Sequence, residues 1–132
     1  LIIAHLGMPW VEETCALMQK NSNIYADVAS IAPNSSPQYM FRCLLTTKDF
    51  GVIDKVLYGS DGPNVGISGG MINRYGKKGW HGKVGFSFKQ YIDLIRVDTN
   101  NYAETNSLTP LTETEIRNIL GDTAARLLGV KD

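Results

Sequence analysis

Leu1-Ile2-Ile3-Ala4-His5-Leu6-Gly7 opens the chain with four apolar residues, a histidine and, two positions later, a glycine. The apolar run is too short for a helix, and an unbroken run that stops at a polar residue reads as a strand buried in a parallel sheet. Working outward, Pro9 marks the first turn of a helix, along which Val11, Cys15, Leu17 and Met18 recur at roughly helical spacing. Asn21-Ser22-Asn23 breaks that pattern. Ile24 to Ala29 follows as a second strand with Asp27 inside it and Ser30 at its end. Ser36-Pro37 is a helix start, an N-cap side chain followed by proline. Tyr39, Met40, Cys43, Leu44 and Thr47 give that helix an apolar face, and Gly51 ends it.

Val56-Leu57-Tyr58 is a third short strand, closed by Gly59-Ser60-Asp61-Gly62-Pro63. The composition then shifts: eight of the thirteen glycines lie between Gly62 and Gly85, together with Arg74, Lys77, Lys78 and Lys83. A long basic loop over 62–85 is expected. Helical spacing returns from Phe86 to Val97, and a polar stretch from Asp98 to Ser107 separates it from the last element. There Thr112 and Glu115 form a capping box, and Ile116, Ile119, Leu120, Ala124, Leu127 and Leu128 an apolar stripe that Gly129 terminates. The order β, α, β, α, β, loop, α, α predicts a single α/β domain over 1–132, with helices packed on a parallel sheet.

Composition narrows the function classes. The 132 residues carry 13 Lys and Arg against 13 Asp and Glu, so the formal charge is zero and no excess of positive charge favours nucleic acid. At 43% hydrophobic and 20% charged the chain is an ordinary globular domain. No apolar run approaches the roughly 18–20 residues that span a bilayer, so no membrane partner is expected. Cys15 and Cys43 follow no metal-ligand spacing and read as small buried thiols. With no signal peptide in the sequence, a cytoplasmic setting is expected.

Parallel α/β folds gather their functional groups at the carboxyl ends of strands. His5, the Asp27 to Ser30 stretch and Asp61 all stand at such ends, so far-separated residues are expected to converge, neighbouring strands being about 4.8 Å apart. Each also has a plainer reading. His5 can be a core histidine bonded to a backbone carbonyl, Asp61 a turn cap, and Asp27 a structural group facing a buried partner. Trp10 and Tyr25 read as packing residues. His81 reads as a solvated loop residue, and Gly66-Ile67-Ser68-Gly69-Gly70 lacks the Gly-Lys-Ser/Thr ending of a phosphate loop.

In combination, Ile2-Ile3-Ala4-His5-Leu6-Gly7, Asn23-Ile24-Tyr25-Ala26-Asp27, Leu57-Tyr58-Gly59-Ser60-Asp61-Gly62-Pro63 and the closing Ile119–Gly129 segment resemble the amidohydrolase superfamily, amidohydrolase-2 group. The likeness covers residues 1–63 and 112–130. It implies a (β/α)₈ barrel, of which this chain would be the C-terminal portion, about three βα units plus terminal helices. It also implies a metal-dependent enzyme that hydrolyses amide or lactone bonds, or decarboxylates a small carboxylate substrate. By this resemblance Asp61 matches the aspartate that ligates the catalytic metal and accepts a proton from its bound water. His5 matches the histidine that orients or polarises substrate, or ligates a second metal. The cofactor implied is a divalent metal, zinc or manganese, with most of its ligands outside this chain.

The family's His-x-His pair and its fifth-strand histidine have no counterpart here, so the chain by itself is expected to be inactive. Three strands of an open barrel leave an uncovered edge and core face, so the chain is expected either to pair with a second copy of itself or to depart from the parent barrel geometry. In a barrel the loop after the last strand lies at the catalytic face, where Arg74, Lys77 or His81 would hold an anionic substrate. Two other readings compete with an enzyme: a small α/β module that binds a phosphorylated ligand on the basic loop, and a purely structural interaction piece.

Overall fold

The computed structural model describes residues 1–61 and 87–130. Strands β1 (Ile2–Ile3), β2 (Tyr25–Asp27) and β3 (Val56–Leu57) form one parallel sheet in chain order. Ile2 stands beside Tyr25, Ala26 beside Val56 and Asp27 beside Leu57. The strands are shorter than the apolar runs that predict them, because each chain leaves extended geometry one or two residues before the run ends. The sheet is open among the described residues. Its order and parallel sense are those of consecutive βα units, the coarse form of the barrel expectation.

Helix α1 (Val11–Lys20) joins β1 to β2 and buries Val11, Cys15 and Met18, whereas Leu17 is exposed. A short helix α2 (Ile31–Asn34), unforeseen from the sequence, follows β2. Helix α3 (Pro37–Asp49) begins as expected, with Ser36 as N-cap accepting from the Tyr39 N–H at 3.1 Å and proline in the first turn. Met40, Phe41, Cys43, Leu44, Leu45 and Thr47 are its buried face, and α3 packs against α1, α2 and the later helices.

Most of the polar stretch from Asp98 to Ser107 is helical rather than a separator, the helix running on to Thr105. α4 (Phe88–Asp93), a π-helical turn (Leu94–Asp98) and α5 (Thr99–Thr105) run on without interruption. The residues of α5 are mostly polar, yet Thr99 and Ala103, four apart, are both buried, and Tyr102 meets Phe41 of α3 with ring centroids 5.6 Å apart. The Thr99 hydroxyl donates to the Leu94 carbonyl at 2.8 Å, which satisfies a backbone acceptor in the widened turn. Tertiary contact, not apolar content, therefore extends this helix. The N-terminus of α4 is fixed by a Ser87–Gln90 capping box, legible as Ser-x-x-Gln.

The final element follows the Thr112–Glu115 capping box as expected and is again divided by a π-turn, giving α6 (Glu113–Arg117), Asn118–Asp122 and α7 (Thr123–Leu128), with Gly129 left-handed at its end. Ile116 and Ile119 are buried, but Leu127 and Leu128 are exposed, so the predicted stripe is covered only over its first half. The Ile119 carbonyl accepts from the Tyr58 N–H at 2.7 Å, tying this helix to the end of β3. Tyr91, fully buried, donates its hydroxyl to the Val28 carbonyl at 2.5 Å and ties α4 to the end of β2. Both cysteines are buried free thiols, as their spacing implies. Trp10 departs from the packing expectation: it precedes the first turn of α1, off the Val11–Cys15–Met18 stripe, and is 64% exposed. Tyr25 is half-buried, with the Lys55 ammonium 5.7 Å from its ring centre. No helix among the described residues is long and apolar enough to cross a membrane.

Candidate functional site

The three strand ends share a backbone feature. His5 (φ 55°) and Leu6 (φ 51°) follow β1, Ser30 (φ 52°) follows β2, and Asp61 (φ 44°) follows β3, all left-handed and none a glycine. Such conformations cost of order 1–3 kcal/mol each and persist only where the surroundings over-determine them. Here they cluster at one end of one sheet. Two glycines make the crowding possible. Gly7 (φ 65°) lies where a Cβ would come within 2.0 Å of the Thr14 hydroxyl, and a Cβ on Gly59 would stand 3.0 Å from that of Ala29.

The left-handed turn carries the His5 imidazole across the end of β2. Its Nδ1 lies 2.8 Å from the Ala29 carbonyl oxygen. A carbonyl oxygen only accepts, so Nδ1 carries the proton, and in the neutral ring Nε2 presents a lone pair. That Nε2 faces Asp61, 3.7 Å from Oδ2. The bond to a backbone carbonyl is the plainer role foreseen for His5, and it coexists with the functional one because the ring has two nitrogens.

Asp27 sits under the same turn. Its Oδ1 accepts from the His5 backbone N–H at 2.9 Å and from the Ala29 N–H at 3.0 Å, and lies 3.6 Å from His5 Nδ1. The structural role foreseen for Asp27 is therefore met, but its partner is the turn that bears His5. Ser30 is fully buried, and its hydroxyl points at the Asp61 carbonyl at 3.5 Å, the outer limit of a hydrogen bond. Sequence reading missed the joint role of Asp27. The Asn-x-Tyr-x-Asp motif locates the carboxylate but not the two N–H groups that a second chain segment brings to it.

His5 and Asp61 thus converge, with side chains 36% and 53% exposed and open to a ligand. Asp27 lies beneath them at 23%. Arg74, Lys77 and His81 lie outside the described residues, as does the loop over 62–85 that carries them. As a metal centre the donor set fits in part. Two donors of the appropriate type, an imidazole lone pair and a carboxylate, face one another at a spacing too long for a direct hydrogen bond, and bonds of about 2.1 Å from each reach a common point between them. Among the described residues no group of three or more His, Cys, Asp or Glu side chains comes together to hold an ion.

No curated protein and no solved structure matches the chain. The family model described as Amidohydrolase (Amidohydro_2) matches residues 1–130, nearly the whole length and with it both strand-end motifs. With a three-stranded parallel sheet that gathers His5 and Asp61 at one end, the chain belongs to the amidohydrolase family.

Proposed function

We propose that this chain is the C-terminal part of a metal-dependent amidohydrolase-2-type enzyme, acting on an amide or lactone bond or decarboxylating a small carboxylate substrate. The observation that carries the reading is the approach of His5 Nε2 to Asp61 Oδ2 at the carboxyl ends of parallel strands. Asp61 is the residue that would hold a divalent metal, zinc or manganese, with further ligands from outside the described residues. Such an ion, when bound, polarises a carbonyl or carboxylate and lowers the pKa of water toward about 7.

The chain's own residues do the rest. The Asp61 carboxylate, exposed on its outer side, takes up a proton from water beside it. His5 offers its Nε2 lone pair to a substrate hydroxyl or water between the two side chains, and the Ala29 carbonyl keeps the ring in that tautomer. Arg74, Lys77 and His81 are proposed to hold the anionic end of the substrate.

Elemental mass spectrometry of the full-length enzyme tests this directly, beside Asp61→Ala. About one equivalent of zinc or manganese, lost in Asp61→Ala, is expected. A metal-free enzyme, or one that keeps its metal without Asp61, overturns the reading.

A further inference from the structure

Asp27 is half-buried beneath the site and makes two of the hydrogen bonds on which the geometry of the site depends. The His5 N–H that it binds belongs to a residue at φ 55° and ψ 36°, followed by Leu6 at φ 51° and ψ 28°. Two successive left-handed residues with side chains are not held by local preference, because the Cβ of each crowds the following carbonyl. Something must bind the turn in its strained form. The Ala29 N–H that shares the carboxylate belongs to the residue whose carbonyl receives His5 Nδ1. One oxygen of Asp27 therefore fixes both ends of the imidazole's attachment: the backbone that carries the ring, and the backbone that the ring binds.

We infer that Asp27 is a positioning residue, whose carboxylate clamps the left-handed His5 turn to the end of β2 and so aims His5 Nε2 at Asp61. The inference rests on the reading above only for the statement that His5 works in a reaction. The clamp itself stands on the two N–H contacts of 2.9 and 3.0 Å. An Asn at 27 keeps an Oδ1 acceptor for both N–H groups, while an Ala removes it.

The test is the tautomer of His5, read by long-range ¹H–¹⁵N correlation in the full chain labelled with ¹⁵N-histidine, its signals assigned by their loss in His5→Gln. The wild type is expected to show the Nδ1–H form, and Asp27→Asn to retain it. Asp27→Ala is expected to shift the ring at least tenfold toward the Nε2–H form that free histidine prefers, with its far-ultraviolet circular dichroism unchanged. A folded Asp27→Ala protein whose His5 keeps the wild-type tautomer overturns the inference. Should Asp27→Ala fail to fold, amide hydrogen exchange in the wild type decides. The N–H groups of His5 and Ala29 are then expected to be protected about 100-fold or more, and free exchange at either overturns the clamp. Metal loss in Asp61→Ala and the His5 tautomer are separate readings, so either proposal can fall while the other stands.

Discussion

His5 Nε2 lies 3.7 Å from Asp61 Oδ2, and because Nδ1 carries the ring proton and donates it in a hydrogen bond to the Ala29 carbonyl, the two atoms that face each other are both acceptors. Two acceptors at this spacing bind what lies between them, a proton donor or a cation, and not each other. The residues come from the ends of β1 and β3, with β2 between them in the sheet.

Asp61 stands half exposed, so its charge matters to chemistry more than to stability. Asp61→Asn is expected to lower turnover of the full-length enzyme by about 100-fold or more. Its unfolding free energy should stay within about 1 kcal/mol of the wild type. Parallel rate assays and urea titrations measure both, and an enzyme that keeps full turnover contradicts the role given to Asp61.

Gly7 and Gly51 are both left-handed, but only Gly7 is enclosed, its Cβ position lying 2.0 Å from the Thr14 hydroxyl while nothing stands within 4 Å of that of Gly51. Gly51→Ala should cost about 1 kcal/mol, the conformational penalty alone. Gly7→Ala adds steric overlap beneath the His5 turn and should cost about 2–4 kcal/mol. Chemical denaturation of the two variants gives the difference, and equal losses would show that the turn gives way freely.

Glu115 couples the closing helix to α3. Burial works against its ionised form, but the Lys48 ammonium at 2.7 Å and the Thr112 N–H at 2.6 Å outweigh it and hold the carboxyl below its ordinary range. A folded value below the unfolded one stabilises the fold above about pH 4.3, and that contribution disappears as pH falls through the folded value. Glu115→Gln should therefore cost about 1 kcal/mol near pH 7. The gap from wild type should close below about pH 4, as followed by unfolding titrations at several pH values.

Cys15 and Cys43 are shielded thiols. Burial, with the neighbouring Cys43, pushes Cys15 up to about 11, and burial likewise pushes Cys43 up to about 11. The thiolate is the reactive form, so alkylation by iodoacetamide at pH 7.5 should be at least about 100-fold slower in the folded chain than in urea. Rapid labelling of either cysteine in the folded chain would show that the α1–α3 interface opens.

Legible in the chain's own residues, unlike the short α2, were the order of the three strands, the start of α3 at Ser36-Pro37, the capping box at Thr112 and the placing of His5 and Asp61 at strand ends. These are local matters: a short apolar run, a proline in a first turn, and a hydroxyl three residues before a glutamate each carry their meaning within a few residues. The sequence did not reveal that the polar stretch after Asp98 is helical, because that helix is held by Tyr102 against Phe41, some sixty positions away in the chain. Nor did it reveal that the strand ends are left-handed at His5, Leu6, Ser30 and Asp61. Left-handed geometry at residues with side chains is unfavourable on its own and has no local signature. It exists here because the Asp27 carboxylate and the Ala29 carbonyl, brought alongside β1 by the parallel pairing of β2, bind the His5 turn in that form. Only tertiary structure could decide it, since the groups that hold the turn lie more than twenty residues from it in the chain.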